Sequence, residues 1–109
     1  MKLTIVAGDA GGATTVALSG EIDLATASEL ETKVESLVAE GTNRLVVDLH
    51  DVSFCDSTGL NALVRARNRC VAAGGWLRIT RPVGEVAEVL RISGLWERLA
   101  AGEVASGEA

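Results

Sequence analysis

Four consecutive small or polar residues, Asp56-Ser57-Thr58-Gly59, stand where an irregular stretch after an apolar run gives way to a helical pattern. Such junctions are where α/β sheets commonly present functional groups. One reading is purely structural: Asp56 or Ser57 caps the helix and Gly59 permits close packing. The other makes the Ser57 hydroxyl a phosphoacceptor. The first helical turn has unpaired N–H groups and a positive dipole end, so a phosphate there is tolerated without unfolding anything. It would add roughly −1.5 to −2 charges at one surface point. A partner with apolar or acidic groups facing Ser57 would then have to desolvate an unpaired dianion. A loss of a few kcal/mol is about a hundredfold or more in affinity.

Enzymatic chemistries fit the same residues poorly. A nucleophile elbow needs glycine on both sides of the serine, and Cys55 occupies the first position. His50, the sole histidine, precedes Ser57 by seven residues. A cysteine phosphatase loop starting at Cys55 would need an arginine where Asn61 and Ala62 stand. There is no Gly-x-x-x-x-Gly-Lys-Ser/Thr loop, and no Cys-x-x-Cys or His-x-x-x-His spacing for a metal. No catalytic residue, metal or cofactor is expected. Gly20-Glu21-Ile22-Asp23, a polar turn before the first helix, reads on its own as two solvated acids that favour the helix dipole.

The elements that position these residues follow from periodicity. Thr14 to Ser19 alternates, putting Val16 and Leu18 on one face, and Gly20 closes it; Leu3 to Val6 pairs with it through a turn built from Gly8, Asp9, Gly11 and Gly12. Ala27, Leu30, Val34, Leu37 and Val38 share one side of a helix between Thr26 and Glu40, with Thr26 and Glu29 at capping-box spacing and Gly41 as its stop. Arg44 to Leu49 reads as a strand buried largely on both faces.

A second helix runs from Ser57 to about Ala73 with Leu60, Leu63, Val64 and Val71 as its apolar stripe and Arg65 and Arg69 opposite. Arg67 falls within that stripe, so its stem must lie along apolar surface while the guanidinium reaches water or an acid. Trp76 to Ile79 is a further strand. Pro82 suits the first turn of a helix with Val83, Val86, Ala87 and Leu90 inward, ending near Ser93-Gly94, and Leu95 to Leu99 adds a short turn. The order β-β-α-β-α-β-α implies an α/β domain over residues 1–100 with one mixed sheet covered by helices. Residues 101–109 are expected to be a disordered tail.

The chain has 109 residues, 48% apolar and 23% charged, with a net charge of −5. That length suits one domain. The acidic balance argues against a nucleic-acid or anionic-membrane surface, and no apolar run approaches the ~18 residues of a bilayer span, so a cytoplasmic setting is expected. Cys55 and Cys70 are expected to be reduced, and the protein a monomer for want of an evident apolar patch. The charge is uneven. Residues 1–56 carry 3 Lys+Arg and 10 Asp+Glu, net −7, and residues 57–109 carry 7 and 5, net +2. Asp23 and Asp56 would thus meet the Arg65/Arg69 helix in a mixed-sign surface.

Taken in order, Gly20-Glu21-Ile22-Asp23, Val47-Asp48-Leu49, Val52 to Leu60 with its Asp-Ser-Thr-Gly-Leu segment, Gly74-Gly75 and Ile92-Ser93-Gly94-Leu95 form a set that resembles the STAS-domain anti-sigma factor antagonists of bacteria, which serve sporulation and general stress control. The resemblance covers roughly residues 1 to 100. It implies a four- or five-stranded mixed sheet backed by helices on one side, and a partner switch. In that family the unphosphorylated antagonist binds an anti-sigma factor that is also a serine kinase, freeing the sigma factor. Phosphorylation releases the antagonist, and a PP2C-like phosphatase resets it. Ser57 maps to the phosphoacceptor, Thr58 to a secondary one, and Asp23 and Asp56 to acids beside it. The docking surface implied comprises Asp23, Asp56, Ser57, Thr58, Gly59, Asn61, Arg65 and Asn68. Asn61 departs from the glycine common in the family, and Arg67 from an apolar or aromatic residue. A stand-alone STAS subunit of a lipid-transport complex, which would not need the Ser57 hydroxyl, or of a partner-switching pathway without a sigma factor, is the alternative.

Overall fold

A computed structural model describes residues 2–100, so the expected tail 101–109 lies outside the described residues. The elements are β1 (Leu3–Ala10), β2 (Ala13–Ile22), α1 (Ala27–Ala39), β3 (Arg44–Cys55), α2 (Ser57–Ala72), β4 (Trp76–Thr80), α3 (Gly84–Ser93) and α4 (Leu95–Ala100). The sheet has four strands in the order β1-β2-β3-β4, with β1 antiparallel to β2 and the other neighbours parallel.

The β1–β2 turn is tighter than the glycine cluster suggested. Only Gly11 and Gly12 lie outside the strands, at φ 61° and 94°, the two positive values that a two-residue hairpin turn needs. Both parallel connections, β2-α1-β3 and β3-α2-β4, step the same way across the sheet. Right-handed crossover therefore puts α1 and α2 on one face, where they pack on each other. Val16, Leu18, Leu45, Val47, Leu49, Leu77 and Ile79 point into the core beneath them, and Val86, Leu90 and Leu99 of α3 and α4 join the same cluster.

Three expectations about the elements are corrected. The strand over Arg44–Leu49 is buried on one face only, because Val46 and Asp48, which alternate with its core residues, are merely half-buried on the uncovered side. Val71 is 45% exposed, and the inner face of α2 consists instead of Leu60, Leu63 and the small residues Ala62, Ala66 and Cys70, which let the helix sit close. Pro82 lies ahead of α3 rather than in its first turn, with Val83 as an exposed N-cap. Val83 is extended (φ −132°, ψ 162°), so the helix starts only at Gly84; Arg81, before the proline, has φ 59° and its guanidinium forms a two-bond pair with Asp48 (3.2 and 2.7 Å). Arg67 is half-buried, but the expectation that its guanidinium reaches water or an acid is not met at Nε, which is buried and has no hydrogen-bond partner among the described residues.

Candidate functional site

The site forms where β2 and β3 end side by side. β3 continues six residues beyond Leu49, and it carries one extra residue relative to β2 at two points: between Asp48 and Asp51, opposite Ala17–Ser19, and between Val52 and Phe54, opposite Gly20–Glu21. Each bulge moves the inward-facing set by one position, from Leu45, Val47 and Leu49 to Val52 and then to Cys55. The first turns His50 and Asp51 both outward, where they pair at 3.2 Å. The second turns Phe54 outward, at 38% exposure, and Cys55 inward.

Asp56 follows at once. Its backbone N–H donates to the Ile22 carbonyl (3.3 Å), joining the ends of the two strands, and its Oδ1 accepts from the Gly59 N–H (3.0 Å). The capping question is thereby decided: Asp56 is the N-cap of α2, and Ser57 is the first helical residue, exposed and free of that duty. Gly59 rests on the end of β2, where a Cβ would meet the Ile22 carbonyl oxygen at 2.5 Å and Cys55 Sγ at 2.8 Å. Burial, with the Asp56 carboxylate adding to it, pushes the Cys55 thiol up to about 12, and burial alone takes Cys70 to about 11. Both are free thiols held protonated.

The turn after β2 differs from the solvated acids expected there. Asp23 and Thr26 are buried, at 7% and 1% exposure. Asp23 Oδ1 accepts from the N–H groups of Ala25 (3.0 Å) and Thr26 (3.1 Å), while the Thr26 hydroxyl donates to the Glu21 carbonyl (2.7 Å) and accepts from the Asp23 N–H (3.0 Å). The Thr26–Glu29 capping box does not form, because the threonine hydroxyl is engaged by the turn behind it. This hydrogen-bonded turn presents Leu24, 80% exposed, and Ala25 to water.

Leu24, Ala25 and Phe54, with Asp23 and Asp56, line an open depression of ≈ 500 Å³ immediately before Ser57 in the chain. Leu24 and Phe54 were missed in the sequence reading. A leucine within a polar turn was a signal for the first, whereas Phe54 could not be placed without the bulge.

From Ser57, the exposed Asn61, Arg65 and Asn68 follow at spacings of four, four and three, one stripe along α2. Thr58 is half-buried and Gly59 buried. Arg65 and Arg69 do not face Asp23 or Asp56. Their partners are Glu31 (2.9 Å) and Glu35 (2.5 Å) on α1, two rungs between neighbouring helices. The mixed-sign contact is therefore made between α1 and α2, and the depression beside Ser57 keeps its acidic rim.

The model of the STAS domain matches residues 4–104. The chain belongs to the STAS-domain family. Over 62 residues this STAS domain is 39% identical to the anti-sigma-F factor antagonist RsfB of Mycobacterium tuberculosis, a match covering 57% of the chain and 51% of the relative. Over 49 residues it is 41% identical to the anti-sigma-B factor antagonist of Staphylococcus aureus, covering 45% of each. The matched stretches thus span about half the length of these curated relatives. The crystal structure of an anti-sigma factor antagonist from Mycobacterium paratuberculosis superposes with a TM-score of 0.78 at 29% identity, covering 90% of this chain and 83% of that one. The four-stranded mixed sheet with its helices is the STAS fold, and two of the five segments that carried the resemblance, Gly20–Asp23 and Val52–Leu60, are joined in it through the Asp56–Ile22 hydrogen bond.

Proposed function

We propose that this STAS domain is an anti-sigma factor antagonist that works by partner switching, with Ser57 as the switch. Unphosphorylated, it binds a cytoplasmic anti-sigma factor with serine kinase activity and frees the sigma factor. Phosphate on Ser57 ends that binding, and a PP2C-like phosphatase restores it. The names of the relatives support the class of activity. The observation that carries the residue assignment is the division of labour at the start of α2: Asp56 caps the helix, so the Ser57 hydroxyl is exposed and can be modified at little cost to the fold.

Docking centres on the depression before Ser57 and runs along Asn61, Arg65 and Asn68. The kinase must reach the hydroxyl to modify it, so the docking face and the modified atom coincide. The dianion would stand beside the Asp56 carboxylate and the apolar Leu24–Phe54 pair. A partner complementary to that surface gains nothing to pair with the phosphate and must strip its water, which weakens binding by about a hundredfold or more without a change of fold. The helix N-terminus keeps the modified domain folded. In this reading the domain is a binding module and not an enzyme.

The decisive experiment incubates the protein with its kinase partner and ATP and locates the phosphate by mass spectrometry. Ser57 should carry it. Ser57→Ala should bind the partner and resist modification, and Ser57→Asp should bind poorly. Two variants that bind like the parent, or a phosphate elsewhere with Ser57 bare, would sink the assignment.

A further inference from the structure

β1 is an edge strand of eight residues that pairs with β2 in unbroken register, without proline or bulge. The other edge, β4, has five residues and runs into Arg81-Pro82. Long, flat edges present unpaired N–H and C=O groups and template further pairing, which proteins usually prevent with bulges, prolines or short edge strands. The polarity of β1 is known, because the Lys2 carbonyl accepts from the Glu21 N–H at 2.9 Å. Alternation then turns the backbone groups of Thr4, Val6 and Gly8 toward β2, and those of Leu3, Ile5, Ala7 and Asp9 away from the sheet.

We propose that a second copy of this chain pairs with β1, antiparallel and two-fold symmetric about Val6, to make one continuous eight-stranded sheet. That register sets Ile5 against Ala7 of the second copy and Leu3 against Asp9, each pair exchanging two backbone hydrogen bonds. Val6, 62% exposed on the uncovered face, meets Val6 of the second copy at a non-hydrogen-bonded position, where side chains come closest.

The neighbouring surface matches itself under the same symmetry. A groove of ≈ 480 Å³ beside β1 is lined by Ile5 and, from α1, Ser28, Glu29, Thr32, Lys33 and Ser36. Ser28, Thr32 and Ser36 are one turn apart and short, leaving room along the edge for an added strand. The two-fold axis runs α1 antiparallel to its copy, bringing Glu29 of each toward Lys33 of the other. No like charges are opposed. Such an interface is isologous and closes at two chains instead of growing into a filament. The expectation of a monomer rested on the lack of an apolar patch, and an edge strand offers hydrogen bonds that no hydropathy pattern displays. Ser57 begins α2 at the end of β2, and the depression before it shares no lining residue with the groove beside β1, so the pairing is independent of its phosphorylation.

Light scattering after gel filtration of the full chain, from micromolar to near-millimolar concentration, tests the proposal. The mass should rise toward twice 11.3 kDa. Val6→Lys places two ammonium groups face to face, and Ala7→Pro removes an outward N–H that β2 does not use. Each should raise the dissociation constant by about a hundredfold. Circular dichroism checks that both fold, and if Ala7→Pro does not, the surface variant Val6→Lys still decides. Ser57→Asp should leave the mass curve unchanged. A single-chain mass at every concentration, which would also be the result if the edge serves a strand of another protein, overturns the proposal. So does a dimer that survives Val6→Lys.

Discussion

Gly59 is packed against Ile22 so closely that any Cβ at position 59 would lie 2.5 Å from the Ile22 carbonyl oxygen. The first turn of α2 is thereby clamped to the end of β2, and the orientation of Ser57 depends on an atom that is not there. Gly59→Ala must push α2 off the strand end, since the obstacle is backbone and cannot swing away. We expect a loss of about 1–3 kcal/mol, as for overpacked cores, measured as a lower urea midpoint at unchanged slope. A stability equal to the parent's would show that the clamp yields.

Asp56 and Ser57 are neighbours with separable roles. Asp56→Ala removes the carboxylate that accepts from the Gly59 N–H, and should cost about 1 kcal/mol, in the range of other N-cap losses. Ser57→Ala touches no cap and should unfold within about 0.5 kcal/mol of the parent, as surface changes do. The reverse order in denaturant melts would mean that Ser57 carries the cap.

Leu24 and Phe54 flank the acids of the depression and are too exposed to matter much to the core. On the partner-switch reading, Leu24→Ala or Phe54→Ala should weaken binding of the anti-sigma partner by about 1–2 kcal/mol, the range of a moderately strong interface contact. Calorimetric titration gives the affinity and a thermal melt the stability. Full affinity in both variants would move the docking surface elsewhere.

Asp48 supplies a pH dependence whose sign is determined. The Arg81 guanidinium bonded to it, helped by the His50 N–H, holds its carboxyl below the usual value against the opposing effect of partial burial. A carboxyl with a lowered folded-state pKa binds its proton more readily when unfolded. Its contribution is therefore fully present above about pH 4 and disappears as pH falls through the lowered folded-state value. Asp48→Asn should flatten the acid limb of a stability-versus-pH curve while leaving the slope near neutrality unchanged. An acid limb as steep as the parent's would show that other carboxylates dominate it. The same pair holds Arg81 at its left-handed φ of 59°, so the segment before α3 should loosen in Asp48→Asn, seen as faster amide exchange there.

Much of the architecture was legible because it is local. The 3- and 4-residue spacing of Ala27, Leu30, Val34 and Leu37 forces a helix with one apolar face, and those four residues are the buried face of α1. The stop at Gly41 is equally local: the N–H groups of Gly41 and Thr42 return to the carbonyls of Val38 and Leu37. β3 was read too short for the opposite reason. Its two bulges exist only relative to β2, so the run from His50 to Cys55 shows no period of two and looks irregular by itself.

By itself, then, the sequence determined the order of elements, the helix that begins at Ser57, and the candidate pair of a capping acid and a free hydroxyl. These depend on residues within one or two turns of each other, where spacing is geometry. Only the tertiary structure decided which of Asp56 and Ser57 does the capping, that Asp23 is buried as a turn-builder while Leu24 faces water, that Phe54 points out, and that Arg65 and Arg69 answer Glu31 and Glu35 on the neighbouring helix. The outward turn of Phe54 is set by the register of β3 against β2, and the Arg65 and Arg69 pairs by the packing of α2 on α1; the Asp56 cap and the Asp23 turn are closed by local hydrogen bonds at the point where the ends of β2 and β3 are joined.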